Sequence, residues 1–572
     1  MDKAIIKAEK KKEKSAFFSG FAVLTLSMLL VKAIGALFKI PMIKYVGIEG
    51  MGYFNAAYHF YSLLMTVSTA GLPVALSILI SGDLSARNIC GVKNDYRCAV
   101  RMFCTIGAVF SLIMLIFSER IAVFLGIPNT KYCLAAVSPA VLFVTVSGAV
   151  RGYFQGHGIM TPTAISQVVE SLGKLLLGLG LAFFAIRKNK PPYIVAAYAI
   201  FGLTLGLLIS AIYLLWVKYL YDKKHTPLLS VCRTEANGKR YSALVRMALP
   251  VTLSSAVLSL TALLDTLVIP NSLMNAGIDE GTALNLYSTY TNLALPMFAL
   301  PTAFITPVSL VLIPAASAEF GAGNRKGRIK VFETSLRLCA FMTLPCVFVM
   351  GVLAYPMLSV LFSDESYAVA IGARLLSVLS VSVFFSGLIT VSNAMLQSCK
   401  RQTAPMLSLA LGAGVKLLSG TVMISIPKIN IFGAPISTFL CSLTVITVNF
   451  YFLTRATEES FSPIKLFLRP LTASAFTGTV CAVCYYNLIK YFSMTAAFLL
   501  CAGISVLVYI PLSLRVQAFS GEEILLLPQG EKIYFLLQKL KLIKQNDLIY
   551  NTEVKHERRK KENRGIAHPE QL

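Results

Sequence analysis

Residues 155–178, QGHGIMTPTAISQVVESLGKLLLG, return 242 positions later as residues 397–420, QSCKRQTAPMLSLALGAGVKLLSG. Gln155, Thr161, Ser166, Lys174, Leu175, Leu176 and Gly178 recur as Gln397, Thr403, Ser408, Lys416, Leu417, Leu418 and Gly420, seven identities in 24 positions. A repeat of this kind fixes the architecture of a long chain before any single element is assigned. A second echo supports it. Tyr58-x-x-Tyr61 is followed by Pro73, and Tyr287-x-x-Tyr290 is followed by Pro301.

Around the repeat the chain is strongly apolar. Of its 572 residues 56% are hydrophobic and 14% charged, against roughly 25% charged in soluble domains. Runs such as 17–38, 99–117, 194–217 and 496–514 carry at most one charge each and approach or exceed the roughly 20 residues that cross a bilayer as a helix. Fourteen transmembrane helices are predicted near 17–40, 52–80, 97–117, 131–150, 161–186, 193–217, 247–269, 283–315, 331–352, 367–394, 403–425, 432–454, 467–487 and 491–514. The two repeat copies fall on the fifth and eleventh. A shift of six helices preserves orientation, so the halves are expected to be parallel repeats about an axis along the membrane normal.

The expected fold is therefore all-α and membrane-integral. It comprises a basic cytoplasmic N-terminus (1–16), a first six-helix lobe (17–217), a cytoplasmic linker (218–246), a second six-helix lobe (247–454) and an added helix pair (455–514). A cytoplasmic tail follows (515–572), in which 531–544 places Ile533, Leu536, Leu537, Leu540 and Ile543 on one face of an amphipathic helix suited to an anionic leaflet.

A net charge of +25 in a soluble protein would point to nucleic acid. Here the charge sorts by topology instead. With the N-terminus inside, 35 of the 52 Lys and Arg fall on inner segments, 7 on outer ones and 10 within helices. The positive-inside rule then puts both termini in the cytoplasm, and no nucleic-acid partner is expected. The twelve cysteines lie mostly within helices and do not form a disulfide framework. No catalytic residues, metal ligands or cofactor are expected.

Ionisable groups within membrane helices are costly and are functional candidates by default. Those well inside the predicted helices are Lys32, Lys39, Glu170, Lys174, Asp265, Arg337, Arg374 and Lys416, six cations against two acids. That balance favours an anion in the interior. Lys174 and Lys416 are related by the repeat, each about thirteen residues into its helix. Glu170 stands four residues before Lys174, so an intrahelical pair is one reading and a cavity cation the other. Lys416 has no acid at helical spacing and is expected to face a cavity. Lys32 is expected to line that cavity; Lys39 either lines it or reaches the outer surface.

A polar stripe on the second helix, Asn55, His59, Ser62, Thr66 and Thr69, is answered on the eighth by Asn285, Ser288 and Asn292. Such stripes face water or another helix, because lipid offers no partners. They are read as walls of a vestibule, with interhelical packing as the alternative. Gly71, Pro73 and Pro301 lie within the same two helices and are candidate bending points, with Glu170 and Asp265 as candidate gating residues.

The stretches from Tyr45 to Asn55 (YVGIEGMGYFN), from Thr69 to Ser77 (TAGLPVALS) and from Ser85 to Arg87 resemble the start of the polysaccharide-biosynthesis flippases of Gram-positive bacteria. These belong to the MATE-related MOP superfamily and include stage V sporulation protein B and lipid II flippase-like members. The resemblance implies a MATE-like plan in a bacterial plasma membrane, and export of undecaprenyl-pyrophosphate-linked sugars by alternating access. It implies basic cavity residues that grip the pyrophosphate, with Lys32 at a position usually occupied by arginine and Lys39 near a second. The chain departs at Ile78, where the family often has lysine, and its second and eighth helices lack the arginines of lipid II flippases, which bears on lipid II as the cargo.

The expected partners are thus a lipid-linked sugar and membrane lipids, with an ion gradient or the membrane potential as the available energy source. Three other readings stand beside this one. A drug/cation antiporter of the same fold would want acids in its cavity. A membrane-embedded enzyme would want clustered acids or a large loop. A non-transporting scaffold of wall synthesis would want neither. The topology itself is testable: reporters fused at Ile278 and at Gly323 should lie on opposite sides, outside and inside respectively, and matching sides would overturn it.

Overall fold

The computed structural model describes residues 2–225, 238–302, 304–305, 316, 325–362, 366–399, 401, 403–457 and 463–518. The side chain of Lys32 and the amphipathic segment 531–544 lie outside the described residues. Every regular element described is helical. Twelve helices among the described residues are long and apolar enough to cross a membrane. The first of them, Ala33–Ser85, holds 53 residues, enough for two crossings at roughly 20 residues each.

That span begins within α1 (Asp2–Thr69), which bends at Gly47 with φ 77 and ψ 168. This left-handed backbone is readily open to glycine alone, so Gly47 separates an N-terminal arm from a second arm, 48–69. The predicted helix 52–80 is then interrupted: α1 ends at Thr69 and α2 (Leu72–Ser85) begins after Gly71. Proline explains the site of the break. An uninterrupted helix would need an N–H at residue 73 to reach the Thr69 carbonyl, and Pro73 has none; in the first turn of a new helix its missing N–H removes no bond. Gly71-Leu-Pro73 is thus a joint between two helices, not a kink inside one.

The repeat reappears in the helix borders. α3 (Ile89–Ile116) and a short α4 (Ser118–Phe124) lead into α5 (Lys131–Gly156), α6 (Thr161–Arg187) and α7 (Pro192–His225). After α8 (Gly238–Asn275), α9 (Glu280–Thr289) and α10 (Arg325–Leu361) come α11 (Ser366–Ser398), α12 (Thr403–Ile424) and α13 (Gly433–Thr457). α5 ends at Gly156 and α11 at Ser398, while α6 begins at Thr161 and α12 at Thr403, so both borders keep the 242-residue offset. Because α7 extends to His225 and α8 begins at Gly238, helix takes in both ends of the predicted linker. Asp279 caps α9 by accepting from the Thr282 N–H, a bond that holds its carboxyl below the usual range.

The chain divides into two compact units. The first comprises Met1–Met297, Leu358–Leu375 and Gln402–Val445. Within it Arg240, in the first turn of α8, donates to the Gly91 carbonyl at 3.1 Å, pairs with Asp95 and lies 3.5 Å from Asp83. The second unit comprises Phe298–Met357, Leu376–Arg401 and Ile446–Leu572. Within it the added pair α14 (Pro463–Leu488) and α15 (Met494–Arg515) packs on α10. Tyr509 donates to the Phe341 carbonyl at 2.8 Å, and Cys481 and Cys501 bury against Leu353. Asn449 of α13 joins Asn393 and Ser392 of α11 at 2.8 and 2.9 Å.

At the joint, α8 runs so close that a Cβ on Gly71 would lie 2.1 Å from the Ala248 carbonyl oxygen. Gly71→Ala should therefore destabilise the protein by about 1–3 kcal/mol, the usual range for overpacking. Gly82→Ala, in α2 where a Cβ meets nothing within 4 Å, should not. Thermal unfolding of the two variants in detergent checks the difference.

Candidate functional site

The second arm of α1 lies against α8 and α9, and its polar stripe is the reason. Thr66 Oγ1 meets Ser259 Oγ at 2.7 Å, and His59 Nδ1 meets Thr266 Oγ1 at 2.9 Å. Thr266 also meets the Tyr287 hydroxyl at 2.9 Å. Asn55 Nδ2 donates to Asn292 Oδ1 at 2.8 Å and to Thr291 Oγ1 at 3.2 Å, and Ser288 donates to the Ile48 carbonyl. Asn55, Thr266, Ser288, Thr291 and Asn292 are buried. In this structure the stripes satisfy one another instead of lining open water, which low-dielectric surroundings favour strongly. Ser62 is half-buried, with no side-chain hydrogen bond among the described residues, and Asn285 is exposed one turn before Ser288, outside the seam.

Beyond α9 the helix changes register. Tyr290–Ala294 forms a π turn, after which the backbone is α-helical to Thr302, with Pro301 buried at that end. In an α-helix the Thr291 carbonyl would accept from the Leu295 N–H, but here that N–H bonds the Tyr290 carbonyl. The next residue in line is Pro296, which has no N–H to offer. The Thr291 carbonyl is left open by the backbone, and Lys39 of α1 donates to it at 3.3 Å. Such π turns recur at functional sites because they expose backbone groups inside a helix.

Lys174 is held differently. Its ammonium stands 4.8 Å from the ring centroid of Phe38, 5.0 Å from Tyr58 and 5.9 Å from Phe54. Phe38 adjoins Lys39 in sequence, so Lys174, which comes from α6, meets α1 beside Lys39. The faces of aromatic rings attract a cation without cancelling its charge. No carboxylate lies within ion-pair distance of Lys39 or Lys174 among the described residues. The intrahelical pairing of Lys174 with Glu170 is not formed: Glu170 pairs with Arg151 at 3.0 Å, and Arg151 also donates to Ser166 at 3.0 Å. Arg151 escaped the sequence reading because the predicted helix stopped at 150, whereas α5 continues to Gly156.

Lys416 requires a correction. The expectation of a cation without a partner considered only its own helix, and the partner comes from another: Lys416 Nζ lies 2.8 Å from Asp265 Oδ2 of α8. Both are buried, 8% and 6% exposed. At this distance each group offsets part of the hydration that the other has lost by burial. The repeat-related lysines therefore have opposite surroundings, rings for Lys174 and a carboxylate for Lys416. The same pairs bear on Glu170 and Asp265 as gating groups, since each carboxylate is already engaged by a cation.

The profile of the family described as Polysaccharide biosynthesis protein matches residues 17–319, and that described as MatE matches residues 250–422. The chain is 26% identical over 483 residues to the lipid II flippase MurJ of Bacillus subtilis (strain 168), covering 81% of this chain and 87% of that one. It is 26% identical over 492 residues to the stage V sporulation protein B of the same organism, covering 85% and 91%. Among solved structures it matches a lipid II flippase MurJ in an inward closed conformation with a TM-score of 0.66 at 16% identity, covering 86% and 98%.

The Lys416–Asp265 pair predicts strong coupling. Lys416→Gln or Asp265→Asn alone should destabilise the protein by about 3–5 kcal/mol, because each leaves a buried charge unpaired. The double variant should lose clearly less than the sum. A thermal-unfolding cycle over the four proteins measures this, and additive losses would mean that the two charges do not support one another.

Proposed function

This chain belongs to the polysaccharide biosynthesis protein family, and from that premise we propose that it carries an undecaprenyl-pyrophosphate-linked saccharide from the inner to the outer leaflet by alternating access. It would do so as a transporter and not as an enzyme, with both termini cytoplasmic. The observation that carries the reading is the contrast among the membrane cations. Lys39 and Lys174 rest on a carbonyl and on aromatic rings, partners that leave their charges available to an anion, whereas Arg151 and Lys416 are matched to carboxylates.

A pyrophosphate brings about two negative charges that must leave water, and cations already inside the membrane reduce that penalty by Coulomb attraction. In the proposed cycle the seam between the second arm of α1 and α8–α9 is closed in one state and opens in another. Its hydrogen bonds are suited to this. Asn55–Asn292, His59–Thr266 and Thr66–Ser259 join neutral groups that water can replace when the helices part. Lys39 would leave the Thr291 carbonyl and turn to the pyrophosphate, with Lys174 as the second cation. The Gly71–Pro73 joint would let the second arm move apart from α2. Lys32 is proposed as a further cation, on its place in α1.

The MatE match supports a cation antiporter as the second reading. Against it, the two acids singled out within the membrane are occupied by Arg151 and Lys416, so neither is an open cation site.

Reconstituted vesicles with a fluorescent undecaprenyl-pyrophosphate sugar separate the two. Lys39→Gln/Lys174→Gln should slow transfer at least tenfold, about 1.4 kcal/mol, while Lys39→Arg/Lys174→Arg should keep much of it because charge is the requirement. Transfer by the glutamine variant at the wild-type rate would remove the anion-site reading. Gradient-driven uptake of a cationic dye, with no movement of the lipid-linked sugar, would favour the antiporter.

A further inference from the structure

In the expected two-lobe plan α8 opens the second lobe, yet it is held to elements of the first toward both of its ends. Toward its C-terminal end Thr266 meets His59 of α1. In its first turn Arg240 reaches to α2 and α3, where it donates to the Gly91 carbonyl at 3.1 Å, pairs with Asp95 and stands 3.5 Å from Asp83. The charge bias of the sequence assigns that end to the cytoplasm. Alternating access parts such lobes at one end and then at the other. Each end therefore needs contacts that can break.

Exposure distinguishes the two ion pairs of α8. The side chains of Lys416 and Asp265 are 10% and 9% exposed, so parting them would strand both charges away from water. Those of Arg240 and Asp83 are 26% and 22% exposed. Water can take over such groups as they separate, which keeps an ion pair at a water edge cheap to open. The cluster is also incompletely satisfied, because two carboxylates share one guanidinium. Asn88 donates to Asp83 Oδ1 at 3.2 Å, but Asp83 Oδ2 is buried without a hydrogen bond, facing Arg240 only at the longer ion-pair distance. On separation that oxygen would recover the hydration it forgoes here.

We propose that Arg240, with Asp95 and Asp83, is a latch at the cytoplasmic end of α8, closed in this structure and released when the transporter opens to that side. The Gly71–Pro73 joint separates α2 from the second arm of α1, so the part that Arg240 grips can move apart from the seam. The latch rests on the alternating-access reading given above and is independent of the cargo.

Thr66 Oγ1 and Ser259 Oγ lie 2.7 Å apart, and Ser259 stands on α8 between Arg240 and Thr266. Thr66→Cys/Ser259→Cys in the full chain in vesicles should therefore cross-link on oxidation, and peptide mapping measures the rate without any cargo. Adding Arg240→Gln should lower that rate about threefold or more, the scale of an ion pair at a water edge. Ser259→Cys alone should then react about threefold faster with a membrane-impermeant maleimide from the cytoplasmic face and no faster from the other. Arg240→Lys, which keeps the charge but not the fork, should retain about half of the wild-type cross-linking. Lys131→Gln breaks the exposed Lys131–Glu119 pair instead and should change neither rate. Should Arg240→Gln fail to fold, Asp95→Asn carries the test with an expected fall of about twofold, since Asp83 still holds Arg240. Cross-linking at the undiminished rate without the Arg240 charge would overturn the latch. So would an equal fall in Lys131→Gln, or a rise in maleimide reactivity from both faces, which marks general loosening. A wild-type protein that moves no lipid-linked sugar, but shows these rates, would lose the cargo reading and keep the latch.

Discussion

A charge taken into the membrane must find a partner there, because the surrounding medium gives it almost no solvation. Among the described side chains, Lys39, Arg151, Glu170, Lys174, Asp265 and Lys416 obey this constraint, and the kind of partner sorts them. Glu170 with Arg151 and Asp265 with Lys416 are opposite charges that cancel. Lys39 on a carbonyl and Lys174 on three rings are solvated without being cancelled. The first kind ties helices together; the second leaves positive potential that a ligand can use. A site for a membrane-embedded anion needs groups of the second kind, which no carboxylate has already matched.

The acceptor for Lys39 depends on one residue. Pro296 withholds an N–H, the preceding helix shifts into a π turn, and the Thr291 carbonyl loses its intrahelical donor. The same turn carries Thr291 and Asn292 into contact with Asn55. A backbone defect thus supplies a carbonyl for the lysine and places two side chains in the seam. Proline acts again at residue 73, where it ends α1 and creates a joint beside which Gly71 admits the close passage of α8. In both places an absent N–H produces geometry that a regular helix would not have.

How much of this was legible in the sequence differs from residue to residue. Hydropathy and the 242-residue repeat predicted an all-helical membrane protein, and the borders of α5–α6 and α11–α12 keep that offset. The stripe Asn55, His59, Ser62, Thr66 and Thr69 was legible as one polar face, since 3.6-residue periodicity is a property of the chain itself; it was read as a vestibule wall, whereas Asn55, His59 and Thr66 take the interhelical packing given as the alternative. The facing stripe was partly misplaced: Ser288 and Asn292 join the seam, but Asn285 does not. The π turn was not foreseen, although Pro296 within an apolar helix was a signal for it.

The sequence alone determined the solvent, the helical class, the repeat and which residues could carry charge inward, because these follow from composition and from periodicities within single segments. Tertiary structure alone decided which charges meet. Lys416 looked unpartnered because helical spacing reports only neighbours on the same helix, while Asp265 lies 151 residues away in the chain and 2.8 Å away in space. Glu170 looked like the partner of Lys174 for the same reason, yet Arg151, on the neighbouring helix, took it. Coulomb interactions fall with distance through space and take no account of distance along the chain, so the pairing of charges became visible only once the helices were packed.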